Sequence, residues 1–186
     1  MSVQEIRFRR GANMVGVTQY RNDARTSIPF DDRETFATFE DKVWDDSILG
    51  RYTAQGQNVA AGIRDLRTRI FNVQDRDRTY ARNIGIVFIW QEPSQDQRLD
   101  IQTEAAAARA NGIFLIAIGY SRNRVSRNTL ELIAYSNAYA FLLESPEQFV
   151  GLYGNLGRWS CDLISAPVIG MKILQPPTHH RSQHHF

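Results

Sequence analysis

Histidine is missing from most of this chain: all four, His179, His180, His184 and His185, crowd into the terminal "HHRSQHH". No imidazole is therefore available in the expected folded region as the general base of a Ser/His/Asp or Cys/His arrangement, which argues against an enzyme. The tail imidazoles could bind zinc or copper weakly, but a polar, disordered terminus is the simpler reading. Cysteine is almost as scarce. The single Cys161 excludes an internal disulfide framework and cannot by itself build a cysteine zinc site. Lysine occurs only at 42 and 172, so nearly all the positive charge is arginine, which pairs bidentately with carboxylate, phosphate and sulfate. A formal net charge of +2 is too small to indicate nucleic acid. No apolar run approaches the ~20 residues needed to cross a membrane. The opening "MSVQEIRFRRGANM" lacks the apolar core of a secretory signal, which taken literally suggests a cytoplasmic protein. No N-x-Ser/Thr sequon occurs, and Gly50 and Gly56 flank a loop without phosphate-loop spacing.

What is present is the composition of an ordinary globular domain: 42% hydrophobic and 23% charged over 186 residues. The expected organisation is one domain over residues 1–160 and a poorly ordered tail over 161–186. "NMVGVTQY" and "TSIPF" read as two short strands joined by the turn "RNDAR", with Pro29 suiting an edge. "DDRETFATFEDKVWDDSIL" places Phe36, Phe39, Val43 and Trp44 at helical spacing, and Val59, Ile63, Leu66 and Ile70 form the stripe of a second helix. The acid pair Asp31–Asp32 suits a helix N-terminus, and neither it nor Asp45–Asp46 needs a catalytic role. Ile84 to Trp90 are almost continuously apolar, as in a strand covered on both faces. Then come a helix with Ser94 as its N-cap and Gly112 as its stop, the apolar strand "IFLIAIGY" and the short helix "RNTLELIAYSN". The strand "AYAFLLE" and a closing helix capped by Ser145 complete the order. This order predicts an α/β fold with a doubly wound, mostly parallel sheet and one antiparallel edge strand.

"MVGVTQYRNDARTSIPF", "GQNVAAGIRDLRTRIFN", "ANGIFLIAIGY" and "TLELIAYSNAYAFLLESPEQF", in that order, resemble the von Willebrand factor type A domain over roughly residues 5–157. The resemblance implies a Rossmann-like fold and an adhesion or protein-interaction role, often with a divalent cation at the carboxyl ends of the central strands. The family draws its metal ligands from an Asp-x-Ser-x-Ser loop, a threonine loop and a strand-end aspartate. Here the first motif is absent, Gln57 stands at the threonine position, and Gln91 stands at the aspartate position with Glu92 beside it. Neutral amides hold magnesium poorly, so the expectation is a degenerate site with no metal and no other cofactor. Thr53 and Glu92 are the residues through which a shifted site could survive.

The family's first, central strand also has no counterpart, so the chain reads as N-terminally incomplete. Three outcomes stand open: the flanking strands pair directly, the tail segment "PVIGMKIL" fills the gap, or the sequence is truncated, which is preferred. The resemblance further makes Cys161 a disulfide candidate whose partner would precede the first strand. Without it, Cys161 is a free thiol or an intermolecular bridge. "RNRVSRN" puts Arg122 and Arg124 in a loop after a central strand; with Arg51 they form a candidate cationic patch, and Glu92 completes the expected partner surface. The expectation is a non-enzymatic, metal-independent binding module for a protein or an anionic matrix polymer, with neither nucleic acid nor a membrane span. The resemblance implies a secreted, extracellular-matrix protein; the alternative is an intracellular scaffold of the same fold. An enzyme on a doubly wound sheet is the weaker third reading.

Overall fold

The computed structural model describes residues 14–30, 35–45, 57–72, 82–145, 147–149 and 151–152. It is a mixed α/β fold in which three parallel strands form one sheet and an antiparallel hairpin forms another. The parallel sheet has the order β3 (Asn83–Ile89), β4 (Ile113–Tyr120), β5 (Ala140–Leu143), and the hairpin pairs β1 (Val17–Tyr20) with β2 (Ala24–Ile28).

β4 is the central strand, and Ile113 to Gly119 are buried on both faces. Its odd-numbered residues, with Val87 and Ile89 of β3, pack beneath α2 (Val59–Asp65), α3 (Gln97–Ala110) and α4 (Arg127–Ile133). Val59, Ile63, Ile101, Ala105, Leu130 and Ile133 fill that layer, and alanine at 105 and 108 lets α3 approach closely. The even-numbered residues Phe114, Ile116 and Ile118 face the opposite side, where Leu143, Leu152 and a ring of partly buried aromatics cover them. The helical spacing of 59, 63, 66 and 70 survives with one change. After Asp65 the chain widens into a π-helical turn, Leu66–Ile70, which leaves Leu66 only partly buried.

Three expectations are corrected. β3 is not covered on both faces: Ile86, Phe88 and Trp90 are 41%, 51% and 68% exposed. Only β4 has a described strand on each side, and among the described residues the Phe88 ring pairs with that of Phe149, with centroids 5.8 Å apart. A continuous apolar run thus identified a strand without telling whether its second face is roofed. Second, Trp44 does not join the stripe of α1 (Phe36–Trp44), since it stands 79% exposed at the helix end. That helix is started by a capping box between Thr35 and Thr38; Asp31 and Asp32 lie outside the described residues. Third, α3 starts after Asp96, not after Ser94. Ser94 instead accepts the Gln97 N–H through its carbonyl, closing a turn one step before the helix. Gly112 does stop that helix, with φ 73°, a conformation cheap for glycine alone.

β1 and β3 do not pair, so direct closure of the sheet is not what the molecule does. The hairpin docks instead on α2. Both threonine hydroxyls, Thr18 and Thr26, donate to Asp65 Oδ2 at 2.8 Å, the N-cap Asn58 donates to the Asn22 carbonyl, and its backbone N–H reaches the Arg21 carbonyl. Across to the parallel sheet, the Tyr20 hydroxyl donates to the Phe88 carbonyl. Burial pushes the Tyr20 phenol well above its ordinary range, so it stays protonated and remains the donor. "PVIGMKIL" lies outside the described residues.

The Tyr20 ring leaves no room beside Gly62, where an added Cβ would fall 2.7 Å from the ring Cδ1. Gly62→Ala is therefore expected to destabilise the protein by about 1–3 kcal/mol through overpacking against a rigid ring. The gain in helix propensity, about 1 kcal/mol, is the smaller effect. Hydrogen exchange of residues 17–28 measures this; slower exchange in the variant would show that helix propensity wins.

Candidate interaction site at the carboxyl ends of the strands

The parallel register, with Ile89 beside Gly119 and Tyr120 beside Leu143, makes the three strands end together. The loops leaving them form one rim, and Glu92 sits there two residues past Trp90. Its Oε2 accepts the backbone N–H of Ser126 at 2.7 Å, while Oε1 accepts Arg98 Nη2 at 2.7 Å, the Ser126 hydroxyl at 3.0 Å and the Thr129 hydroxyl at 2.5 Å. Arg98 Nη2 also donates to Thr129 Oγ1 at 3.3 Å. Ser126 is the N-cap of α4 and accepts the Thr129 N–H, so helix start, carboxylate and guanidinium form one cluster.

Burial raises the Glu92 pKa, but hydrogen bonds from Thr129, the Ser126 backbone, Arg98 and the Ser126 hydroxyl outweigh it and the net shift is downward. The carboxylate is therefore ionised near neutral pH and committed to its own chain. Arg98 is different. Its side chain is 38% exposed, and among the described residues only its Nη2 is engaged, so it stands at the rim with its other N–H groups unspent there.

Arg122 lies exposed in the 3₁₀ turn Ser121–Asn123, and Arg124 follows it exposed at φ 62°. Neither side chain is engaged among the described residues, whereas Arg127 pairs with Glu131 at 2.9 Å. Trp90 and Tyr120 meet edge to face on the same rim, with centroids 5.8 Å apart. Gln91 is exposed. Gln57 precedes α2 and its Oε1 is buried with no hydrogen-bond partner among the described residues. Asp96 is exposed, and the Ser94 side chain and nearby backbone N–H groups hold its carboxyl below the usual range. Arg51, Thr53 and Cys161 lie outside the described residues.

Arg98, Ser126 and Thr129 escaped the sequence reading. Ser126 carried a legible signal, a serine opening a helix three residues before a threonine; the Arg98 bond to Glu92 carried none.

These residues do not fit a divalent cation. Magnesium or calcium needs several oxygens free to turn inward, but every hydrogen bond of Glu92 is already made to its own chain, and a guanidinium stands 2.7 Å from it. Gln57 and Gln91 add neutral amides only, and among the described residues no three His, Cys, Asp or Glu side chains gather.

Comparison with known proteins agrees with this architecture. No curated protein matches the chain in sequence. Among solved structures it is similar to proximal thread matrix protein 1 from the mussel byssus, with 21% identity and TM-score 0.68 over 81% of this chain and 37% of that one. A form of that protein described with a zinc-occupied MIDAS motif gives 20% identity and TM-score 0.63 over 83% and 37%. The chain thus spans little more than a third of the mussel protein. Protein BatB from Bacteroides thetaiotaomicron, described as conserved and hypothetical, matches at 16% identity and TM-score 0.56, over 80% of each chain. At these identities the likeness is one of fold. A family description, von Willebrand factor type A domain, matches residues 3–155. The chain belongs to the von Willebrand factor type A domain family.

Proposed function

We propose that this domain is a non-enzymatic interaction module that binds an acidic partner through arginine instead of through a metal ion. The observation that carries the reading is the Arg98 guanidinium, held 2.7 Å from Glu92 with N–H groups that meet no acceptor among the described residues. A metal-dependent site places a cation there for a partner carboxylate to complete. Arg98, with exposed Arg122 and Arg124 in the loop after β4, offers a positive charge at the same end of the sheet without needing oxygen ligands. The exposed Trp90 ring, at the carboxyl end of β3, adds apolar area to the same end of the sheet, a combination common in binding surfaces.

The partner is a protein or an anionic polymer bearing carboxylate or sulfate, and the setting is a secreted, matrix-type protein. Fold likeness to a byssal matrix protein supports the setting. The absence of histidine before position 179 supports a binding role over a hydrolytic one.

The test is binding of the purified chain to an immobilised carboxylated or sulfated polymer, with and without a chelator. The Arg98→Ala, Arg122→Ala, Arg124→Ala triple variant is expected to bind at least ~10-fold more weakly, at about 0.5–1.5 kcal/mol per exposed guanidinium contact. The chelator is expected to change nothing. Undiminished binding by the triple variant, or loss of binding on chelation, overturns the reading.

A further inference from the structure

The opposite end of the sheet carries a second polar feature, independent of the rim. Asn83 and Ile113 begin β3 and β4 side by side. Over them opens a cavity of about 270 Å³ lined by Arg67, Phe71, Asn72, Asn83, Asn111 and Ile113, among others. None of its described lining residues is acidic. Three carboxamides and a guanidinium converge on one recess that opens to solvent at Asn72 and Asn111.

Arg67 is short of partners. Glu104 takes Arg67 Nη2 at 2.9 Å, and the same carboxylate takes Arg64 Nε at 2.7 Å. One carboxylate thus answers two guanidiniums and positive charge is left over. Among the described residues, Arg67 Nε is buried without a hydrogen-bond partner and only Nη2 of this side chain is engaged. Arg67 lies within the π-helical turn and Phe71 directly follows it, an irregularity met more often at working sites than in plain scaffolding.

We infer that this cavity is a binding site for a small oxyanion, a carboxylate or a phosphate group, held by the Arg67 guanidinium, the Asn72 carboxamide and the second N–H of the Asn111 amide, whose first N–H donates to the Ala107 carbonyl at 2.7 Å. The carbonyl end of α3 lies nearby and opposes an anion. Its carbonyls at Ala107, Ala108 and Arg109 are already taken by the N–H groups of Asn111 and Gly112. A charge-assisted bond from a guanidinium on a side chain only 24% exposed outweighs what remains of that dipole.

The test is titration of the full chain with inorganic phosphate and, separately, acetate, following the side-chain amide signals of Asn72, Asn83 and Asn111 by NMR. Saturable shifts at these amides are expected with at least one anion. Tighter binding of phosphate identifies a phosphoryl group as the ligand, and tighter binding of acetate identifies a carboxylate. Arg67→Gln and Asn72→Asp are each expected to weaken binding at least ~10-fold, the loss typical of one charge-assisted hydrogen bond. Arg69→Gln, on an exposed side chain that does not line the cavity, leaves it unchanged. Asn72→Asp keeps the Arg67–Glu104 pair and carries the test if Arg67→Gln fails to fold. Shifts that do not saturate, or equal affinity in Asn72→Asp and the parent chain, overturn the site.

Discussion

Glu104→Gln is expected to lower the melting temperature by roughly 6–12 °C, the largest effect of any conservative change considered. The carboxylate is 7% exposed and joins α3 to two arginines, Arg64 and Arg67, on α2 and the turn after it. An amide in its place turns an N–H₂ group toward one of the guanidiniums, so that donor meets donor. Breaking a buried pair costs ~3–5 kcal/mol. Arg64 is 61% exposed and recovers water, which argues for the lower end, about 3 kcal/mol. A chain of this size loses ~2–4 °C per kcal/mol. Burial raises the Glu104 pKa, but hydrogen bonds and the charges of Arg67 and Arg64 bring it below the ordinary value. A depressed folded pKa contributes stability above the unfolded carboxylate value, ~4.3, and that contribution disappears as pH falls through the folded pKa. The variant is therefore expected to show its full deficit at pH 7 and a smaller one near pH 3. A deficit equal at both pH values would mean that lost packing, and not the ion pairs, stabilises this junction.

Glu92→Ala is expected to cost about 2–3 kcal/mol and to loosen the start of α4. The change leaves the Ser126 N–H and the Arg98 Nη2 without their acceptor, and an unsatisfied part-buried donor costs ~1–3 kcal/mol. Thr129, fully buried, also loses its bond to Glu92 Oε1. Amide exchange at Ser126 and Thr129 should rise more than exchange in β4, which separates a local loss from a global one. The Glu92→Ala, Arg98→Ala double variant sharpens this. If the two form one unit, their costs are non-additive by ~0.5–3 kcal/mol. Additive costs would show that Arg98 stands at the rim without help from Glu92, and the proposed anchor would lose its support.

Much of the fold was legible because it depends on local chemistry. Apolar continuity in "IFLIAIG" follows from a central strand with a layer on each face, and helical spacing in "VAAGIRDLRTRI" follows from one buried stripe. Gly112 as a stop needs only its own φ. The misreadings share a cause. Whether Ile86, Phe88 and Trp90 are roofed depends on which strand lies next to β3, and sequence periodicity carries no information about neighbours. Ser94 and Asp96 both suit an N-cap, so the choice fell to the turn that Ser94 closes with Gln97.

The candidate site divides in the same way. The expectation of a degenerate metal site came from the residues alone, since Gln91 stands where the family resemblance puts an aspartate and a neutral amide cannot supply its charge. The role of Glu92 could not. As a loop acid it looked available to a partner, but the fold brings Ser126 and Thr129 to it from 34 and 37 residues away and turns the carboxylate inward. Residue chemistry set which groups can hold a cation or an anion, because charge and donor count belong to each side chain. Which groups are already satisfied depends on distance across the chain: Glu104 was settled by two arginines 40 and 37 residues away, and Arg98 was left with donors to offer.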